Sequence, residues 1–86
     1  MRLEDKLKEL IVSELQIKNI QPEELDDNTP IFGEGLGLDS LDAVELAAIL
    51  KKNYHLEIKN RNVAREVFVS VKTIADYIRE HQEKSN

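Results

Sequence analysis

The sequence predicts an all-α fold: a small four-helix bundle of three main helices and a short third helix, with a long loop between the first two. Three observations carry that expectation. Apolar residues recur at helical spacing in separate stretches, no stretch alternates apolar and polar residues as a half-buried strand would, and every glycine and proline falls between residues 22 and 37. At 86 residues there is room for one hydrophobic core, so residues 1–86 are expected to form a single domain, and multi-domain enzymes are excluded.

Leu3, Leu7, Leu10, Ile11 and Leu15 fall on one stripe of a helix over residues 3–17. Pro22 and the polar residues that follow end the pattern, and Gly33, Gly35 and Gly37 keep the chain irregular up to Leu38. The resulting loop of roughly twenty residues exceeds the usual connection and invites a functional reading. Leu25, Ile31, Phe32, Leu36 and Leu38 are expected to pin it to the helices, with one helical turn over residues 22–25. The glycines read as loop flexibility.

A second helix is expected over residues 40–53, with Leu41, Val44 and Ala48 as one seam and Ala47, Leu50 and Tyr54 extending it. Asp39 suits its N-cap, Asp42 stands three residues on as in a capping box, and Lys51 and Lys52 meet the negative end of the helix dipole. The basic stretch 59–65 offers Val63, Ala64 and Val67 for one or two buried turns. Ser70 can cap a last helix with Val71, Ile74, Ala75 and Ile78 as its stripe, fraying into a polar tail over residues 80–86.

Composition excludes several classes. Charged residues are 34% of the chain, apolar ones 41% and aromatic ones 5%, a balance suited to a soluble helical domain. No cysteine is encoded, so disulfides, zinc ribbons and a cysteine nucleophile are ruled out. No apolar run is long enough to span a bilayer or to serve as a signal peptide, and a cytoplasmic protein without membrane insertion is expected. A net charge of −5 argues against nucleic acid as a ligand. Between Lys18 and Lys51 there is no basic residue, while Glu23, Glu24, Asp26, Asp27, Glu34, Asp39, Asp42 and Glu45 all fall there. Such a run is either a solvated face or a docking surface for basic partners.

The stretch Gly37-Leu38-Asp39-Ser40-Leu41 delivers a serine into the first turn of the second helix. With Asp39 as the cap, the Ser40 hydroxyl is free to point into solvent at the positive end of the dipole, where a phosphate ester is tolerated. Asp39 and Asp42 would repel that phosphate, which is then expected to project outward. The alternative is Ser40 as an ordinary cap with Asp39 in the loop.

The segment GLGLDSLDAVEL, with its Asp39-Ser40-Leu41 core, resembles the acyl carrier protein family. The similarity covers nearly the whole chain, from the first amphipathic helix through the glycine-containing loop to the closing helix. The resemblance implies that Ser40 carries 4′-phosphopantetheine, transferred from coenzyme A by a phosphopantetheinyl transferase. The thiol of that arm would hold acyl intermediates as thioesters for fatty-acid or related biosynthetic enzymes.

Partner docking is expected around Glu34, Asp39, Leu41, Asp42, Glu45 and Ala48, facing enzymes with basic patches. Leu46, Ala47, Leu50, Ile58, Phe68 and Ile74 are candidate lining for an acyl pocket between the helices, against the alternative that they are simply core. A monomer is expected.

The chain also departs from the family pattern: Lys51 and Lys52 replace expected acids, and Lys59, Arg61 and Arg65 make the third segment basic. That points to a carrier dedicated to one pathway. Catalysis by Ser40 itself lacks a base, since His55 and His81 read as helix-end residues and the motif has no second glycine of a nucleophile elbow. Asp26, Asp27 and Asn28 do not follow the order of a calcium loop, and no metal site is expected. A polyketide or peptidyl carrier, or an unmodified helical module docking through its acidic face, are the alternatives.

Overall fold

Leu7 and Ile11 stand one helical turn apart and both are sealed in the interior. They belong to α1 (Leu3–Glu14), the first of four α-helices in a computed structural model that describes residues 2–85. A 3-10 turn (Pro22–Glu24), α2 (Ser40–Tyr54), α3 (Arg61–Val67) and α4 (Val71–Ser85) follow. Among the described residues there is no strand, only isolated bridges between Pro30 and Ser70 and between Phe32 and Leu38. The all-α four-helix architecture with a short third helix is therefore the one expected. No helix among the described residues is long and apolar enough to cross a membrane.

The first helix ends three residues earlier than its apolar stripe suggests. Gln16 adopts a left-handed conformation (φ 54°), its N–H donates to Ser13 O, and Ile17 N–H donates to Val12 O. This is a Schellman closure with glutamine where glycine is usual, and it turns Leu15 and Ile17 back onto the core outside the helix.

Ion pairs and backbone bonds fasten the long loop down. Ile31 is fully buried, its N–H donates to Val69 O, and Lys72 N–H donates to Asp27 O. Asp27 also accepts from Lys8 Nζ of α1 at 2.7 Å and from Arg2 at 3.0 Å. The glycines are less a source of freedom than expected. A Cβ on Gly35 would lie 1.8 Å from the Pro30 carbonyl oxygen, so the loop closes on itself only because that atom is missing.

The N-cap of α2 is Asp39, reciprocally bonded with Asp42, and Lys51 and Lys52 lie in its last turn. Its buried face differs from the expected seam. Leu46, Ile49 and Leu50 enter the core, whereas Leu41 and Val44 are 77% and 68% exposed and Ala48 is exposed as well. This helix carries apolar residues on two faces, and periodicity does not say which one finds the core.

Asn60 caps α3 by accepting from Val63 N–H at 2.9 Å, and Val67 is buried while Val63 and Ala64 are half-buried. Ser70 and Thr73 cap each other at the start of α4: each backbone N–H donates to the other's hydroxyl, at 2.9 and 3.3 Å. Val71, Ile74, Ala75 and Ile78 are buried as their spacing predicts. The helix continues to Ser85, beyond the expected fraying at residue 80; residue 86 of that tail, like residue 1, lies outside the described residues. Arg79 grips Glu4 of α1 with two bonds of 2.8 Å. α3 leans on α4, leaving space between α3 and α2.

Candidate functional site

The residues of the Asp39-Ser40-Leu41 turn divide their work. Asp39 Oδ1 accepts from Leu41 N–H at 3.0 Å and from Asp42 N–H at 3.2 Å, while Asp42 Oδ2 accepts from Asp39 N–H at 3.0 Å. Both carboxylates are committed to the helix start, which satisfies donors that would otherwise be orphaned. Ser40, the first residue of α2, is exposed, and its hydroxyl makes no hydrogen bond to any described residue. Of the two readings left open by the sequence, Asp39 as cap with Ser40 released is the one realised.

A groove of about 750 Å³ begins at this serine. Ser40, Ala43, Val44 and Ala47 form its α2 wall, and Arg61, Ala64 and Arg65 its α3 wall. Phe32, Leu38, Ile58 and Phe68 contribute apolar surface, and Asp39 and Asn60 stand with the polar residues. Alanines on the facing helices keep the space open, because no side chain beyond Cβ projects from those positions. The volume lies within the range of small-molecule sites.

The sequence-derived pocket residues separate into two groups. Ala47, Ile58 and Phe68 line the groove, Phe68 as a core residue, whereas Leu46, Leu50 and Ile74 are core residues outside its lining. Sequence reasoning missed Ala43, Val44, Ala64, Arg61 and Arg65. The available signal was size: Ala43 and Ala47 stand four apart on one helix, and Ala64 is the small residue of the next.

Most of the expected docking residues are exposed. Glu34, Asp39, Leu41, Glu45 and Ala48 are exposed and Asp42 is half-buried. Leu41 and Val44 are large apolar residues left exposed on the same helix. His55, by contrast, is the left-handed C-cap of α2 at the far end of that helix from Ser40, and His81 packs on Tyr77 in α4 with Nδ1 at 3.0 Å from the Tyr77 carbonyl oxygen.

A hydroxyl without a hydrogen bond to any described residue, exposed at a helix start and lining a groove, is open to covalent attachment of another group. The sequence comparisons agree. The family profile of the phosphopantetheine attachment site matches residues 5–78, a span that includes the helix-start serine and the groove. An acyl carrier protein of Wolinella succinogenes is 34% identical over 79 residues, covering 92% of each chain.

Proposed function

The chain belongs to the acyl carrier protein family, whose cofactor is 4′-phosphopantetheine, and on that premise we propose that residues 1–86 form one carrier domain with the arm on Ser40 Oγ. The observation that carries the proposal is the released Ser40 hydroxyl beside the groove. When bound, the arm supplies a terminal thiol that holds acyl groups as thioesters.

The protein's own residues do the rest. Asp39 and Asp42 fix the first turn of α2, so Ser40 is held at a defined place where a transferase can approach. Ala43, Ala47 and Ala64 leave room for an arm and a cargo to fold back, and Phe68 and Ile58 offer apolar surface that shields the cargo from water. Glu34, Asp42 and Glu45 steer basic enzymes toward the serine, while Leu41 and Ala48 supply contact area at the moment of docking. The protein acts as a monomeric carrier that delivers intermediates, with the chemistry residing in its partners. It works in the cytoplasm.

Among carriers, a role dedicated to one pathway is favoured by the basic α3. Arg61 and Arg65, with Lys59 before the helix, present positive charge beside the acidic start of α2. An enzyme that recognises a uniformly acidic carrier would meet like charges there, which weakens encounter and register.

Incubation with coenzyme A and a broad-specificity phosphopantetheinyl transferase, followed by intact mass measurement, tests the attachment. The native chain is expected to gain one arm and Ser40→Ala none. An unmodified native chain would favour the helical interaction module. Exchange of Arg61 and Arg65 for glutamate tests the pathway reading, because it should improve turnover with general fatty-acid enzymes.

A further inference from the structure

Arg61 and Arg65 stand one helical turn apart on α3 and both line the groove that Ser40 opens. Neither guanidinium makes a hydrogen bond or ion pair with a described residue. They are the cations of this groove, and an arginine stays charged at any physiological pH. Asp39 lines the same groove, and its carboxylate is already tied to the backbone of α2. Asp42, outside the groove lining, accepts from Asp39 N–H through Oδ2.

A phosphodiester on Ser40 Oγ would therefore enter a groove whose one lining carboxylate, Asp39, is already engaged and whose two guanidiniums are not. Arg61 and Arg65 belong to the α3 wall, so their attraction acts toward α3. Guanidinium offers paired N–H donors that match phosphate oxygens, and phosphate contacts of this kind are among the stronger hydrogen bonds.

We propose that Arg61 and Arg65 form an anion subsite for the phosphodiester of the arm on Ser40, drawing it toward α3 and laying the arm along the groove. This rests on the attachment reading above and runs against the expectation from sequence that the phosphate projects outward. The arm is then partly pre-folded toward Ala47 and Phe68, and a partner enzyme must compete with the two arginines to draw it out. A basic α3 thus acts on the arm as well as on the partner.

The test is 31P NMR of the transferase-loaded protein, with intact mass read first. The native protein is expected to show a phosphodiester resonance displaced from that of free phosphopantetheine, moving toward it as sodium chloride is raised. In R61Q/R65Q the displacement and its salt dependence should be lost. K59Q, which removes a neighbouring charge outside the groove, should retain both. Circular dichroism of the apo forms verifies that the exposed substitutions leave the helices intact. A loaded R61Q/R65Q protein whose resonance matches the native one, or a K59Q protein that behaves like R61Q/R65Q, overturns the subsite while leaving the attachment in place. Absence of any mass gain removes the attachment and the subsite with it.

Discussion

Asp39 and Asp42 cap one another across the first turn of α2, each carboxylate accepting from the other's backbone N–H. The residue between Asp39 and Leu41 is thereby excused from capping, and its hydroxyl is left to face water. Local helix chemistry, more than tertiary packing, thus produces the accessible serine.

Asp39→Ala is expected to lower stability by about 1 kcal/mol, the usual worth of an N-cap. Asp39→Asn keeps the acceptor oxygen and should recover most of that loss. Chemical denaturation of the three proteins measures it, and equal losses for alanine and asparagine would contradict the capping role.

Glu34→Gln with Glu45→Gln is expected to reduce transferase kcat/KM by about tenfold at low salt, because charge steering acts mainly on encounter. Neither carboxylate takes part in the α2 cap, so stability should be unchanged. The difference should fade as ionic strength rises. A salt-independent defect would point to a lost contact instead.

Gly35→Ala is expected to cost more than Gly33→Ala. The added methyl at Gly35 meets the Pro30 carbonyl oxygen and forces the loop open, whereas at Gly33 the space is empty and the cost is the left-handed backbone (φ 69°), about 1 kcal/mol. Thermal unfolding ranks the two, and a larger loss for Gly33→Ala would refute the steric argument.

Acid should weaken the fold through Glu4. Hydrogen bonds from Arg79 hold the Glu4 carboxyl down to about 2, from an ordinary value of 4.5. Because the folded value lies below the unfolded one, the stabilisation is complete above about pH 4.5 and is lost as pH falls toward 2. Asp5, bonded to Arg2, and Asp27, bonded to Lys8 and Arg2, are lowered likewise and add to the same acid limb. Glu4→Gln should be less stable at neutral pH and should lose less on acidification. Denaturation midpoints from neutral pH to about pH 2 read the slope; an unchanged acid limb would sink the assignment.

Much of this architecture is legible in the chain because its helix starts are written locally. Asp39 with Asp42, and Ser70 ahead of the Val71 stripe, mark two helix starts within a few residues of where they occur. The exit of α1 is illegible for the opposite reason: Gln16 takes a backbone conformation that its identity does not announce, inside an apolar pattern that runs on to Leu15 and Ile17. Burial of Glu4 and Lys8 escapes notice because their partners, Arg79 and Asp27, are distant in sequence. At the site itself, Ser40 and its acidic neighbours can be read directly. The groove cannot, since it depends on how α3 sits against α2, and three of the expected pocket residues do not line it.

Peptide mapping by tandem mass spectrometry, after transferase treatment with coenzyme A, bears most directly on the carrier reading. The phosphopantetheine mass is expected on the peptide containing Ser40, with fragment ions placing it on that residue. An arm located on Ser13, Thr29 or any other hydroxyl, or no arm under conditions that load an established carrier completely, would contradict it.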